Sequence, residues 1–522
     1  MRSRSDAFVR IILLALALTL SAACLGAAAP ASAGPGADPS GSAQALRALL
    51  VAEQARPTAA DGAAYDYFGY AVAISGDIAV VGAPDHDVGT NADQGSAYVF
   101  ARSAGWSQQA KLTAADGAAG DSFGEAVAIS GDTIVVGAPY TNVDQGSAYV
   151  FVRSGSAWSQ QAQLTAADGA ASDNFGTSVA ISGETVVAGA PYDHIGANVI
   201  QGSACVFVRS GNTWSQQAQL TAAGGAAGDR FGTSVAISGA TVVVGAPFDL
   251  IGANVNQGSA YVFVRSGVSW SQQATLTAAD GAFDDRFGYS VAISGATVVV
   301  GAIEDDVGAV EDSGSAYVFV RSGATWSQQA KLTAADGARK DWFGWSVAIS
   351  GASVVVGAAF DDVGANAGQG SAYIFMRSGV KWSRLAKLIS GDAGDWFGWS
   401  VAISGASVVV GRLNDQVGGN AEQGSVGAFR IVTPGRPVAR SPKGRIISRT
   451  PILRWRAAAG AATYEVRIYK GSRLLKRQSG IVKTSWKCTR RLPRQAWLTW
   501  KVRARNVAGN GPYSARFRFR VR

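Results

Sequence analysis

The chain has 522 residues, a formal net charge of +9, three cysteines and two histidines. That length allows several domains, and this composition supplies neither a disulfide framework nor the histidine and cysteine clusters of zinc sites. The charge is divided: Leu50 to Thr433 carries 18 Lys and Arg against 34 Asp and Glu, net −16, whereas Pro434 to Arg522 carries 24 against 1, net +23. Two bodies of opposite sign are therefore expected on one chain.

Arg2, Arg4 and Arg10 precede the apolar run Ile11 to Ala23, and Ala31-Ser32-Ala33 before Gly34 suits signal peptidase. These features predict a signal peptide over 1–33, with a linker over 34–48. Cys24 after Ser21-Ala22-Ala23 offers a lipoprotein box as the alternative, which ranks lower because Ser21 stands where a large aliphatic residue is preferred. The apolar run is short for a membrane span, and no later stretch is long and apolar enough for a transmembrane helix. The mature chain is expected to be secreted or displayed outside the cytoplasm, keeping only Cys205 and Cys488.

From about 49 to 433 the sequence repeats. The seventeen residues from Asp341 to Gly357 recur unchanged from Asp395 to Gly411, and weaker copies start at Asp66, Asp121, Asp173, Asp229 and Asp285. The Phe of the Phe-Gly pair falls at 68, 123, 175, 231, 287, 343 and 397, a spacing of 52 to 56. A period near 50 residues marks a repeat architecture whose unit cannot bury its apolar face alone. Each unit reads as four short strands, with tight Gly turns between the first and second and between the third and fourth. Both long connections then lie on one edge. Phe343, Trp345, Val347 and Ile349 alternate with Gly344, Ser346, Ala348 and Ser350, so a bulky face can nest on a neighbour's flat face. Radial stacking of this kind predicts an all-β fold, a seven-bladed β-propeller of four-stranded blades. The last repeat stops after its third strand, and Val51 to Ala63 aligns with Trp106 to Ala118. The N-terminal segment is thus expected to supply the missing fourth strand of blade seven.

The Phe-Gly pair followed by Gly-Ala-Pro within each of the first four units resembles the FG-GAP repeat, the blade of the propeller that heads integrin α-subunits, and the pattern is similar to exported bacterial members. Blades five to seven depart from it, with Gly-Ala-Ile, Gly-Ala-Ala and Gly-Arg-Leu. The family's calcium loop, D-x-D-x-D-G-x-x-D between the first two strands, is absent from every blade, because the turns there are too short to hold it. No cofactor is expected with certainty. Calcium is left to the acidic loops after the second strand, where Asp305, Asp306, Glu311, Asp312, Asp361 and Asp362 are weak metal candidates. The favoured reading of those loops is a solvated surface.

An aspartate two residues before each Phe-Gly phenylalanine (Asp66, Asp121, Asp173, Asp229, Asp285, Asp341, Asp395) is read first as a turn device that accepts backbone N–H groups. A carboxylate ring holding a cation or a basic ligand is the alternative. Aromatic residues break the sevenfold symmetry: Tyr289, Trp342, Trp345, Trp396, Trp399, Tyr67 and Tyr70 mark blades five, six, seven and one. Those just after Phe-Gly are expected to pack between blades. Those just before it, Tyr67, Trp342 and Trp396, are the candidate ligand-binding residues. His86 and His194 have no nucleophile or metal-ligand partner at a useful spacing, so no catalytic residue is named.

A linker is expected over 434–449, where Pro, Gly and basic residues interrupt the repeats. Residues 450–522 resemble a fibronectin type III sandwich, carried by Pro451, Leu453, Trp455, Tyr464 and Val466 and by the run from Arg503 to Ser514; Trp500 stands where that family usually has tyrosine. Alternation sends Trp500, Val502, Ala504, Phe517, Phe519 and Val521 inward. It sends Lys501, Arg503, Arg505, Arg516, Arg518, Arg520 and Arg522 outward, and Arg467 joins them through the sheet that the resemblance implies. This face is the candidate polyanion-binding surface, its expected partners being anionic polymers of the cell envelope; nucleic acid is disfavoured for an exported chain. Docking of the face on the protein's own acidic propeller is the bland alternative. The expected function is binding or adhesion to an extracellular protein or glycan. The alternatives are a propeller-type polysaccharide lyase or hydrolase and a non-catalytic structural envelope protein.

Overall fold

Residues 51–432 form seven four-stranded antiparallel sheets in the computed structural model, which describes residues 51–432, 435–458, 461, 463–489, 491–506 and 509–522. The expected signal peptide over 1–33 and the 34–48 stretch lie outside the described residues. In blade six, representative of the others, Ser346–Ser350, Ser353–Ala358, Ser371–Ser378 and Lys381–Leu388 pair in that order. The second strand, Ser-Val-Val-Val-Gly-Ala, is buried along its whole length, as suits a strand covered on both faces.

The apolar core lies between blades. Phe343 is fully buried among Val299, Ala316, Val318 and Leu332 of blade five and Val354, Val356 and Ala358 of its own blade. Its ring meets Tyr373 at 5.2 Å and Phe375 at 6.1 Å between centroids, both edge-on, a favoured geometry for aromatic pairs. The two glycines of the motif have one shared cause. A Cβ on Gly301 would lie 2.1 Å from the Gly344 carbonyl oxygen of the next blade, and Gly344 itself has φ +103. Neighbouring backbones touch at this point, so neither position accepts a side chain.

Two sets of polar contacts run around the ring. On the hairpin side, the turn glycine of each blade donates its N–H to a serine hydroxyl of the preceding blade, as Gly351 does to Ser294 at 3.1 Å. On the loop side, the Phe-Gly phenylalanine donates its N–H to a carbonyl of the preceding blade, as Phe343 does to Ser313 at 3.0 Å. Both sets continue across the seam between blades seven and one, through Gly76 to Ser404 at 3.0 Å and Phe68 to Gln423 at 2.8 Å.

The N-terminal strand Val51–Ala55 completes blade seven by pairing antiparallel with Ser425–Ile431. Two ion pairs lock it. Glu53 binds the guanidinium of Arg412, which is wholly buried, and Arg56 binds the buried carboxylate of Asp415, with Nε at 2.8 Å.

The C-terminal region is a two-sheet β body. One sheet orders Val438–Ser441, Ile452–Arg456 and Ser485–Lys487. The other runs Gly444–Ile446, Phe517–Val521, Trp497–Asn506, Thr463–Lys470 and Arg473–Ile481, with Gly509–Tyr513 also paired to Trp497–Asn506. The expected linker over 434–449 is corrected here. Val438–Ser441 pairs with Ile452–Arg456 and Gly444–Ile446 pairs parallel with Phe517–Val521, so basic residues that read as a tether alternate on two sheet-edge strands. Trp500, Val502, Ala504, Phe519 and Val521 are fully buried, and Phe517 is half-buried. Among the described residues no helix is long and apolar enough to cross a membrane, and Cys205 and Cys488 are both buried.

Candidate functional site

Each blade sends the residue two places after its Phe-Gly phenylalanine toward the loop-side end of the propeller axis. The seven are Tyr70, Glu125, Thr177, Thr233, Tyr289, Trp345 and Trp399. Ring centroids run from Tyr289 to Trp345 at 5.0 Å, to Trp399 at 4.7 Å and to Tyr70 at 5.7 Å. The Tyr70 hydroxyl then donates to Glu125 Oε1 at 2.8 Å. Burial raises the phenol pKa of Tyr289 against the pull of Arg286, and Glu304, Tyr192 of blade three and Glu125 of blade two add to the rise. The side chains thus converge over the axis. Farther along the same strands a channel of about 220 Å³ is lined by one Val-Ala-Ile triplet from the first strand of every blade, such as Val347, Ala348 and Ile349.

The residue just before each Phe-Gly pair forms an outer tier. Its backbone is left-handed in all seven blades, with φ between 52 and 55, a conformation uncommon outside glycine and asparagine. The loop imposes that geometry seven times, so only the side chain distinguishes the blades. Trp342 lies stacked on Trp345 at 5.7 Å, and Trp396 on Trp399 at 5.6 Å. Phe360 stands between them, 4.8 Å from Trp342 and 5.1 Å from Trp396. Tyr67 joins the same cluster and donates its hydroxyl to Glu422 at 2.8 Å. The three candidate ligand residues are therefore brought together. They also pack on the tier below, so the expected division between packing and ligand-facing aromatics does not hold. Sequence reasoning missed Phe360, although its signal was available: the residue after the Gly-Ala-Pro position varies as Asp85, Tyr140, Tyr192, Phe248, Glu304, Phe360 and Asn414.

Blades two to five furnish a polar half. Arg230 lies 4.5 Å from the Phe248 ring centre and 5.0 Å from that of Tyr192, and Arg286 pairs with Glu304 at 3.0 Å. Burial pushes the Glu304 carboxyl up to about 7 against the opposing pull of Arg286.

The acidic loops are bonded within the protein. Asp305 and Asp361 are buried, bonded to Ser315 and Tyr317 and to Ser371 and Tyr373, and neutralised by Lys331 at 2.8 Å and Lys387 at 2.6 Å. Asp306 and Asp362 accept the N–H groups of Asp312 and Gly368, and Glu311 pairs with Arg339. Asp312 occupies a left-handed turn position with φ 50. Among the described residues no three His, Cys, Asp or Glu side chains are grouped as metal ligands. The sevenfold aspartate is a turn device: Asp341 accepts the Ala338 N–H at 2.6 Å, and its six equivalents repeat the bond.

Comparison with protein families matches the FG-GAP repeat at residues 51–100, 106–151, 158–207, 214–263, 270–319, 326–375 and 382–429. The chain belongs to the FG-GAP repeat family. No curated protein matches it. Each matched stretch of this FG-GAP chain opens on the fourth strand of one blade and ends on the third strand of the next, so the first begins on the strand that closes blade seven.

The second surface of the FG-GAP chain lies on the C-terminal body. Arg467, Lys501, Arg503, Arg505, Arg516, Arg518 and Arg520 lie on one face as expected, but part of that face is not free. Glu465, the one carboxylate between Pro434 and Arg522, sits among them wholly buried. It pairs with Arg467 and Arg477 at 2.8 Å, Arg503 at 3.2 Å and Arg505 at 3.8 Å, and accepts the hydroxyls of Tyr513 and Ser479. Although burial opposes ionisation, the hydrogen bonds and cations hold its carboxyl down at about 2. Lys501 lies 4.0 Å from the Tyr513 ring centre, and Arg518 lies 4.4 Å from that of Trp497. Arg516 covers Tyr469, and Arg520 donates to Gln495.

Proposed function

We propose that the protein is an exported, non-catalytic binding protein of adhesion type. The propeller mouth is its recognition site for an extracellular protein or glycan, and the basic body attaches it to an anionic envelope polymer. The observation that carries this reading is the broken symmetry at the mouth. A sevenfold scaffold needs only seven equal residues there, yet Trp342, Phe360, Trp396 and Tyr67 gather in one aromatic cluster, whereas blades two to five place Glu125, Thr177, Arg230 and Arg286 in the two tiers, with Arg230 over the Tyr192 and Phe248 rings. Aromatic faces beside convergent polar groups suit ligands that are part apolar and part hydrogen-bonding. The basic N-terminal start, apolar run and Ala-Ser-Ala site support export. The strand order of the C-terminal sheets supports a fibronectin type III-like sandwich.

The test is a glycan and peptide array probed with the whole chain and with Trp342→Ala and Trp396→Ala. Hits lost in both variants without loss of the propeller's melting transition support the reading. An array without hits, or hits indifferent to both changes, refutes it. Glu304 favours one second reading, a polysaccharide-cleaving enzyme, because a carboxyl titrating near 7 suits general acid–base work. Chain cleavage in a polysaccharide panel that Glu304→Gln abolishes would establish it.

A further inference from the structure

We propose that the basic face of the C-terminal body binds a base-free phosphodiester polymer, a chain of polyol units linked by phosphates. The proposal rests on the attachment reading given above.

The register of the sheet sets cations directly side by side. Arg477 is opposite Arg467, and Arg467 is opposite Lys501, so three positive side chains form a row across three strands. In the next row Glu465 is opposite Arg503, and beyond it Thr463 is opposite Arg505. Like charges placed opposite each other destabilise a sheet. One carboxylate serves Arg467, Arg477, Arg503 and Arg505, and Lys501 adds a fifth cation, so the local surplus is positive by four. A multivalent anion from outside meets that surplus.

Two features narrow its chemistry. Lys501, Arg503 and Arg505 alternate along one strand at about 7 Å, twice the rise per residue of a β-strand. Phosphates separated by a short polyol fall at comparable intervals, whereas those of inorganic polyphosphate are packed far more densely. Single-stranded nucleic acid is recognised by stacking bases on open aromatic faces. Here cations already lie against the rings, Lys501 and Arg503 at Tyr513, Arg516 at Tyr469 and Arg518 at Trp497, which is 40% exposed. Among the described residues the face presents many cations and one exposed ring, Trp497, rather than a row of open stacking platforms.

The experiment measures binding of the whole chain to immobilised poly(glycerol phosphate) across a salt series, with polyphosphate, a polyuronate and single-stranded DNA as competitors. The variant joins Lys501→Gln, Arg518→Gln and Arg520→Gln, none of which removes a partner of Glu465. Its fold is checked by the melting transition of the C-terminal body. The expected result is at least tenfold preference for poly(glycerol phosphate) over each competitor. The slope of log K against log salt should fall by about 2 in the variant, since each phosphate left without its cation lowers the slope by about 0.7. Equal binding of the competitors would overturn the phosphodiester assignment while leaving attachment to polyanions standing. An unchanged slope would overturn the assignment to this face, and no binding of any polymer at low salt would overturn the attachment reading as well.

Discussion

Arg412→Ala should lower the stability of the propeller sharply, and two further substitutions should restore it. At the end of the second strand blades five and six have Ala302 and Ala358, and on the third strand they have Tyr317 and Tyr373; blade seven has Arg412 and Gly427 instead. The Arg412 guanidinium lies 5.2 Å from the Phe397 ring centre, the distance at which Tyr373 meets Phe343. The arginine therefore replaces the missing tyrosine, and Glu53 from the N-terminal strand meets its charge, with Ser390 and Ser425 as further partners. Truncating a large buried side chain costs about 2–5 kcal/mol, and removing one partner of a buried ion pair about 3–5 kcal/mol. The same atoms account for both, and Glu53 keeps some access to water, so roughly 3–4 kcal/mol is expected rather than the sum. At about 2 °C per kcal/mol for a large domain the melting temperature should fall by roughly 6–8 °C. The triple variant Glu53→Gln, Arg412→Ala, Gly427→Tyr restores the residues found in blades one, two, four and five. It should recover at least half of the loss, the remainder reflecting Phe429, which fills the space beside Gly427. Differential scanning calorimetry of the propeller transition is the assay. An Arg412→Ala protein that melts with the parent, or a triple variant no more stable than Arg412→Ala, would refute the compensation.

Gly301→Ala sets a methyl group against the Gly344 carbonyl and should cost about 1–3 kcal/mol through overpacking, whereas Gly105→Ala, with open space around it, should be neutral; equal melting temperatures would count against backbone contact between blades. The seven turn aspartates have pKa values raised chiefly by burial, Asp229, Asp285 and Asp341 to about 6, above the ordinary aspartate value of 3.8. The folded propeller then takes up protons before the unfolded chain, so its stability should rise as pH falls from 7.5 toward 5; a lower melting temperature at pH 5 would contradict this. The Glu465 contribution has the opposite sign, full above the ordinary glutamate value of 4.5 and lost as pH falls through about 2, which a pH series on the C-terminal transition would follow. Chelators should leave the melting temperature unchanged, because Lys331 and Lys387 already neutralise Asp305 and Asp361; a downward shift reversed by added calcium would show a bound ion.

The blade was legible because its signals are local and repeated. Strand alternation, two tight turns and a truncated last repeat specify four strands, their order and the closing segment, and the seven sheets follow. What the letters concealed depends on register between strands distant in sequence. Alternation places Glu465, Arg467, Arg503 and Arg505 on one face, but it does not say that Glu465 stands opposite Arg503, where converging guanidinium groups bury it. The same limit applied to Phe360, whose place between Trp342 and Trp396 is set by three separate loops meeting at the axis. The distinction changes how the basic face can be tested. Judged by alternation alone, Arg503→Glu and Arg505→Glu are surface changes that should abolish polymer binding and spare the fold. In the folded domain each would set a second carboxylate against a wholly buried one and remove a cation that keeps it ionised, an arrangement that costs several kcal/mol. Binding abolished in that way would report an unfolded sheet. Lys501, Arg518 and Arg520 take their partners from Tyr513, Trp497 and Gln495, so their neutralisation subtracts charge from the face and leaves the Glu465 cluster closed.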